Sequence, residues 1–182
     1  MIKINQVFTQ KELALLNNAI SKCSFEADPD LGRQKTNLRL PAKIIQNVEK
    51  IVKENYSKNL SISSIAYVEY NKKFGNPNLP PHFDHDNTNI IVNFQLSSNI
   101  NWPLGLDMEL YNMEDNSALI FSPNDIIHWR PHKTFNDEEY VKMIFFRLVD
   151  ANNIKNYLHK DYSMGDPIFA EINALRDSLL RI

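Results

Sequence analysis

Pro80-Pro81-His82-Phe83-Asp84 is the segment of this 182-residue chain whose residue types and spacing could do chemistry. Two prolines hold the approach extended, and in a strand residues two apart point to the same side. His82 and Asp84 therefore present an imidazole and a carboxylate to one point. A second imidazole, His128, follows at the end of the strand-like run Asp125-Ile-Ile-His-Trp129. Two histidines and one carboxylate on one face of a divalent metal leave the opposite positions open. With Fe(II), those positions take a co-substrate and O₂. An isolated His-x-Asp is common by chance, and a lone strand histidine is more often core or surface. The pair gains meaning only from the elements around it.

Those elements begin with helices. Thr9-Gln-Lys-Glu12 has the capping-box pattern, and Leu13, Leu16, Ile20 and Cys23 follow at helical spacing. A polar stretch with Pro29 and Gly32 breaks the pattern. Pro41 fits the first turn of a second helix with the apolar stripe Ile44, Ile45, Val48, Ile51 and Val52. From about Ser61 the texture changes to short β-like runs: Ser64–Tyr70, Asn89–Leu96, Leu106–Tyr111, Ala118–Phe121, Asp125–Trp129 and Tyr140–Val149. Such spacing predicts an antiparallel barrel or sandwich rather than βαβ units. The tail returns to a helix started by Pro167 and lined by Ile168, Ile172, Leu175 and Leu179. The expected architecture is one α+β domain over residues 1–182. Residues 1–60 form helical support packed on the sheet, 61–150 the β core, and 151–182 a C-terminal helical segment.

Composition narrows the function classes. Apolar residues at 43% and charged residues at 23% suit a globular domain. With four glycines and neither GxGxxG nor GxxxxGK[ST], Rossmann and P-loop readings fall. The single cysteine, Cys23, rules out an intrachain disulfide or a CxxC pair and suggests a reducing, cytoplasmic setting. The N-terminus lacks the apolar run of a signal peptide, and no stretch is long enough for an apolar membrane span. The net charge of −2 is uneven. Residues 1–60 carry ten Lys/Arg against six Asp/Glu, and residues 61–150 carry six against twelve. No basic stripe for nucleic acid emerges.

Taken together, the segments resemble the Fe(II)/2-oxoglutarate-dependent dioxygenases, specifically their prolyl-4-hydroxylase-like branch, over roughly residues 64–149. Tyr67-Val-Glu-Tyr70, then NKKFG and PPHFD, is similar to the family's strand, turn and H-x-D strand. Pro103-Leu-Gly-Leu-Asp-Met-Glu-Leu110 stands where the family has GGxTxF, with one glycine left. Ala118-Leu-Ile-Phe121 and SPNDIIHWRP resemble the segment that delivers the distal histidine. The resemblance implies a double-stranded β-helix (jelly-roll) core with His82, Asp84 and His128 as iron ligands. It also implies 2-oxoglutarate and O₂ as co-substrates, with ascorbate as an accessory reductant. The implied activity is hydroxylation of a peptidyl proline or a small molecule.

The resemblance further implies a cation early in the last core strand for the far carboxylate of 2-oxoglutarate. This sequence departs there, reading Asn136-Asp-Glu-Glu139, and its first cation is Lys142. Lys142 is preferred as anchor over Arg147, which alternation places on the other face of the strand. Tyr70 is a second contact to the same carboxylate. His85 and Asp86 crowd the motif and read as surface or supporting groups. His132 competes with His128, but it follows Pro131 in a polar run. Arg130 reads as exposed, while Trp102 and Trp129 read as packing or pocket-wall residues. Competing readings are a cupin-like metal-binding protein or isomerase, a catalytically inactive jelly-roll binding module, and a nucleic-acid demethylase. The last uses paired arginines in its final strand, where only Arg147 stands here. The expected partner is a small-molecule or peptidyl substrate, with neither membrane nor nucleic acid. A homodimer is compatible with the sequence.

Overall fold

The structure, a computed structural model, describes residues 1–56, 59–84 and 88–150. Its elements run β1 (Ile2–Asn5), α1 (Gln10–Ile20), β2 (Glu26–Asp28), β3 (Arg33–Asn37), α2 (Ala42–Asn55), β4 (Leu60–Asn71) and β5 (Leu79–His82). They continue through β6 (Ile90–Ser98), β7 (Leu104–Leu106), β8 (Glu109–Tyr111), β9 (Ser117–Phe121), β10 (His128–Arg130) and β11 (Tyr140–Asp150). Seven strands form one sheet in the order β1-β9-β6-β11-β4-β3-β2, and four form a second in the order β5-β10-β7-β8. Every strand pair is antiparallel.

Burial on two levels explains this arrangement. Leu16 of α1 and Ile44, Val48 and Val52 of α2 join Tyr67, Phe94, Ile144, Phe146 and Leu148 in one apolar cluster, so the helices back the large sheet. A second cluster joins Val68, Tyr70, Phe121, Val141 and Met143 of the large sheet to Leu79, Leu104 and Leu106 of the small one. The two sheets thus face each other over a shared core, as in a jelly roll. Each buried Leu, Ile or Phe contributes about 1.5–3 kcal/mol. β11 lies between β6 and β4 and alternates strictly, sending Ile144, Phe146 and Leu148 to the helices and Val141 and Met143 to the small sheet.

The capping box forms as expected: the Glu12 N–H donates to Thr9 Oγ1 at 3.3 Å, and the Thr9 N–H to Glu12 Oε2 at 2.9 Å. The N-terminal third is not only helical, however. β1 pairs with β9, and β2 and β3 extend the large sheet beyond β4. β1 is only four residues long, though Ile2 and Ile4 alternate onto the helix-side cluster, while β2 and β3 are short and largely polar and carry no apolar alternation. The run Leu106–Tyr111 is a hairpin rather than a strand, broken at Asp107, whose φ is 52°. Cys23 lies past the end of α1, packed against the helix-side cluster. The expected C-terminal helix falls outside the described residues. No helix among the described residues is long and apolar enough to cross a membrane.

Candidate metal centre

β5 is an edge strand, where prolines that cannot donate to the ladder are tolerated. Pro80 and Pro81 coincide with a register shift: His128 pairs with His82, but Arg130 pairs with Leu79. The cross-strand pairing sets the two imidazoles side by side, ring centres 4.1 Å apart and planes tilted by 50°. Just beyond β5, the Asp84 N–H donates to Pro123 O at 3.0 Å, tying the acid to the turn that leads into β10. Asp84 Oδ1 lies 3.7 Å from His82 Nε2 and 3.5 Å from His128 Nε2. One ligand atom from each residue falls within 4.8 Å of the others. His128 opens β10 rather than ending the preceding apolar run, because residues 122–126 form a turn.

Backbone contacts orient the two imidazoles, and the electrostatics of His82 and Asp84 suit a divalent metal. His82 Nδ1 sits 2.7 Å from Pro80 O; in the tautomer that donates there, Nε2 is left as a lone-pair ligand. His128 Nδ1 is 3.3 Å from Ile126 O, the same arrangement two residues upstream of its own ring. Burial, aided by the neighbouring His128, pushes the His82 imidazole down to about 4. Burial alone would raise the Asp84 carboxyl. The close approach of His128 and the charges of His128, Arg147 and His82 outweigh it, holding the group at about 2. At neutral pH a neutral imidazole and an ionised carboxylate stand together, with no proton to displace from either.

A cavity of about 290 Å³ opens from this triad. Leu79, Ile91 and Phe145 give it apolar wall, and Arg33, Tyr70, Asn93 and Arg147 give it polar groups. Tyr70, expected as a carboxylate contact, lines it, and Arg33 Nη1 donates to the Tyr70 hydroxyl at 3.1 Å. Arg147 Nε approaches Asp84 Oδ2 at 3.9 Å. Lys142, the expected anchor, does not share the cavity. It stands on the helix-side face of β11 with Ile144 and Phe146, its Nζ 4.7 Å from the Tyr140 ring centre. Alternation does separate Lys142 from Arg147, but the interior lies on the Arg147 side of the strand.

Two wall residues escaped the sequence reading. Arg33 belongs to β3, a short polar strand between β4 and the edge strand β2, with no periodic signature. Asn93, 4% exposed with no hydrogen-bond partner for its Oδ1, interrupts the apolar stretch Ile90–Phe94, and a polar residue there is the available signal. Arg130 is a correction: it is buried at 4% exposure, not exposed. Its guanidinium donates to Trp102 O, lies 4.9 Å from the Trp102 ring centre and touches Met143 Sδ at 3.6 Å. Trp102 packs in the intersheet core. Trp129 covers Gly105, where an added Cβ would lie 2.4 Å from its ring, so the surviving glycine seats the strand that carries His128. His132 borders a separate cavity with Asp30 and Asn76. His85 and Asp86 lie outside the described residues.

No protein-family model matches the chain, and no curated protein matches it. Solved structures do. HygX from Streptomyces hygroscopicus, crystallised with nickel and 2-oxoglutarate bound, superposes with a TM-score of 0.62 at 9% identity, covering 82% of each chain. An oxidoreductase of the 2OG-Fe(II) oxygenase family from Burkholderia pseudomallei gives 0.61 at 11% identity, over 80% of this chain and 82% of that one. SnoN, a non-haem α-ketoglutarate-dependent epimerase from nogalamycin biosynthesis, gives 0.64 at 10% identity, over 91% and 86%. At these identities the likeness establishes a shared fold: this chain has the jelly-roll architecture on which 2OG-Fe(II) oxygenases are built.

Proposed function

We propose that the chain is an Fe(II)- and 2-oxoglutarate-dependent oxygenase that hydroxylates a small molecule. The observation that carries this reading is the convergence of His82, Asp84 and His128 beside a cavity that also holds Arg33, Tyr70 and Arg147. Bound Fe(II) would supply O₂ activation, coupling decarboxylation of 2-oxoglutarate to oxidation of a C–H bond. The chain's own residues provide the rest. His82, with its Nδ1 held at Pro80 O, and the ionised Asp84 offer ligand atoms from one side and leave the cavity side open. Arg33 and Tyr70, already joined, receive the far carboxylate of 2-oxoglutarate, a planar donor set suited to a carboxylate. Leu79, Ile91 and Phe145 keep the space between them dry. The fold shared with HygX, which binds nickel and 2-oxoglutarate, supports the assignment. The prolyl-4-hydroxylase-like branch rests on the sequence pattern around PPHFD and SPNDIIHWRP. A free small molecule is preferred to a peptidyl proline because Arg33 and Arg147 border the cavity, two cations that suit a charged small molecule.

Succinate formation from 2-oxoglutarate with Fe(II) and ascorbate, without added substrate, tests the reading. Wild-type chain turns over slowly, and His82→Ala and Asp84→Ala fall to background. Arg33→Ala raises the apparent KM for 2-oxoglutarate about 10- to 100-fold, the worth of a charged hydrogen bond. Equal succinate from wild type and both triad variants would overturn the assignment. A raised KM in Arg147→Ala with Arg33→Ala unchanged would move the anchor to Arg147.

A further inference from the structure

A second cavity, of about 400 Å³, adjoins the first and shares Arg33, Phe145 and Arg147 with it. Its floor is the small Ala66 with Val68, and Glu26, Lys35, Thr36 and Asn37 complete it. We propose that this cavity is the substrate subsite and takes a small molecule whose carboxylate or phosphate group pairs with Arg147. The proposal rests on the oxygenase reading of the triad.

A charge census of the cavity carries it. Arg33 is held by Asp28, Nε to Oδ2 at 2.8 Å, and by the Tyr70 hydroxyl. Lys35 lies 3.7 Å from Glu26 and 3.9 Å from Asp28. These two acids match these two bases. Arg147 is the surplus cation: its sole acidic neighbour among the described residues is Asp84, at 3.9 Å. With Asp84 engaged by a metal, the Arg147 guanidinium, 32% exposed, would have no acidic partner among the described residues. An Arg fork in a partly enclosed cavity is a bidentate receiver for a carboxylate or phosphate. Arg147 also stands where the two cavities meet, so an anion paired with it keeps the rest of the molecule beside the triad. A peptidyl proline would call for an aromatic-lined apolar groove, whereas only Ala66, Val68 and Phe145 are apolar here.

The test follows the arginine side-chain N–H signals by NMR in the full chain, loaded with Zn(II) and saturated with 2-oxoglutarate to fill the first cavity. The probes are inorganic phosphate, acetate and, as a neutral control, glycerol. Phosphate or acetate, whichever chemistry the site favours, moves the Arg147 signal saturably, and glycerol does not. Lys35→Gln weakens that binding by about three- to tenfold through loss of a nearby charge, Arg147→Gln abolishes it, and Arg147→Lys restores part of it. An Arg147 signal unmoved by both anions, or anion affinity unchanged in Arg147→Gln, overturns the proposal. Mn(II) binding, read by water-proton relaxation in wild type and His82→Ala, separates the two readings. Equal Mn(II) binding in both sinks the oxygenase assignment and the substrate role with it, whatever the anions do. Intact triad-dependent Mn(II) binding with silent anions sinks this subsite alone.

Discussion

β11 carries two faces with different duties, though they share one backbone. On the helix side, Ile144, Phe146 and Leu148 are fully buried against α1, α2 and their neighbours, and the charged residue there, Lys142, sits toward the strand's start. On the cavity side, Val141 and Met143 give way to Phe145 and Arg147 as the strand passes the triad. One face therefore holds the sheet to its helical backing, and the other tolerates a cation and open volume. The comparison teaches that the apolar energy of the helix-side face offsets the cost of keeping polar groups at the site. Stability and metal binding should respond to different substitutions only one or two residues apart.

The largest expected effect is on metal binding. Asp84→Ala should lower Mn(II) affinity at least about 100-fold, since loss of mere outer-shell partners already costs 10- to 100-fold. An electron-paramagnetic-resonance titration, with circular dichroism to verify folding, checks this. Next, Phe146→Ala should destabilise the chain by about 3–5 kcal/mol in urea unfolding while leaving Mn(II) affinity per folded molecule unchanged. Equal loss of both would erase the division between the faces. Acid sharpens it further. His82 titrates near 4 when folded against an ordinary 6.5, and Asp84 near 2 against 3.8. Both groups bind protons more readily unfolded, so metal-free stability falls with pH, from 6.5 to 4 through His82 and below 3.8 through Asp84. The urea midpoint should therefore drop less between pH 7 and pH 4.5 in His82→Ala than in wild type. Smallest of all, Lys142→Ala should leave the KM for 2-oxoglutarate within about twofold, as surface substitutions do. A larger rise would place this lysine back at the co-substrate.

The parts legible in the sequence were those written locally. The capping box at Thr9, the stripe Ile44, Val48 and Val52, and the apolar strands around residues 90–98 and 140–150 follow from periodicity within one element. The His82–Asp84 pair was legible because residues two apart in an extended segment point to one side, although β5 itself ends at His82 and Asp84 lies just past it. β2 and β3 were not, since short polar strands at the margin of a sheet need no apolar alternation and take their order from the strand beside them. The burial of Arg130 is not legible in the sequence because it depends on what closes over the side chain: Trp102, Met113 and Met143 are distant along the chain.

From the sequence alone came the ligand types, the parity of β11 and the α+β composition of the domain, because each is encoded in neighbours along the chain. Tertiary structure decided which parity faces inward, that His128 lies against His82, and that Arg33 and Arg147 rather than Lys142 border the cavity. Alternation sorts side chains into two sets, but only the position of the second sheet determines which set meets the triad. That position is settled by pairings between residues tens of positions apart, whose mutual burial no single segment records.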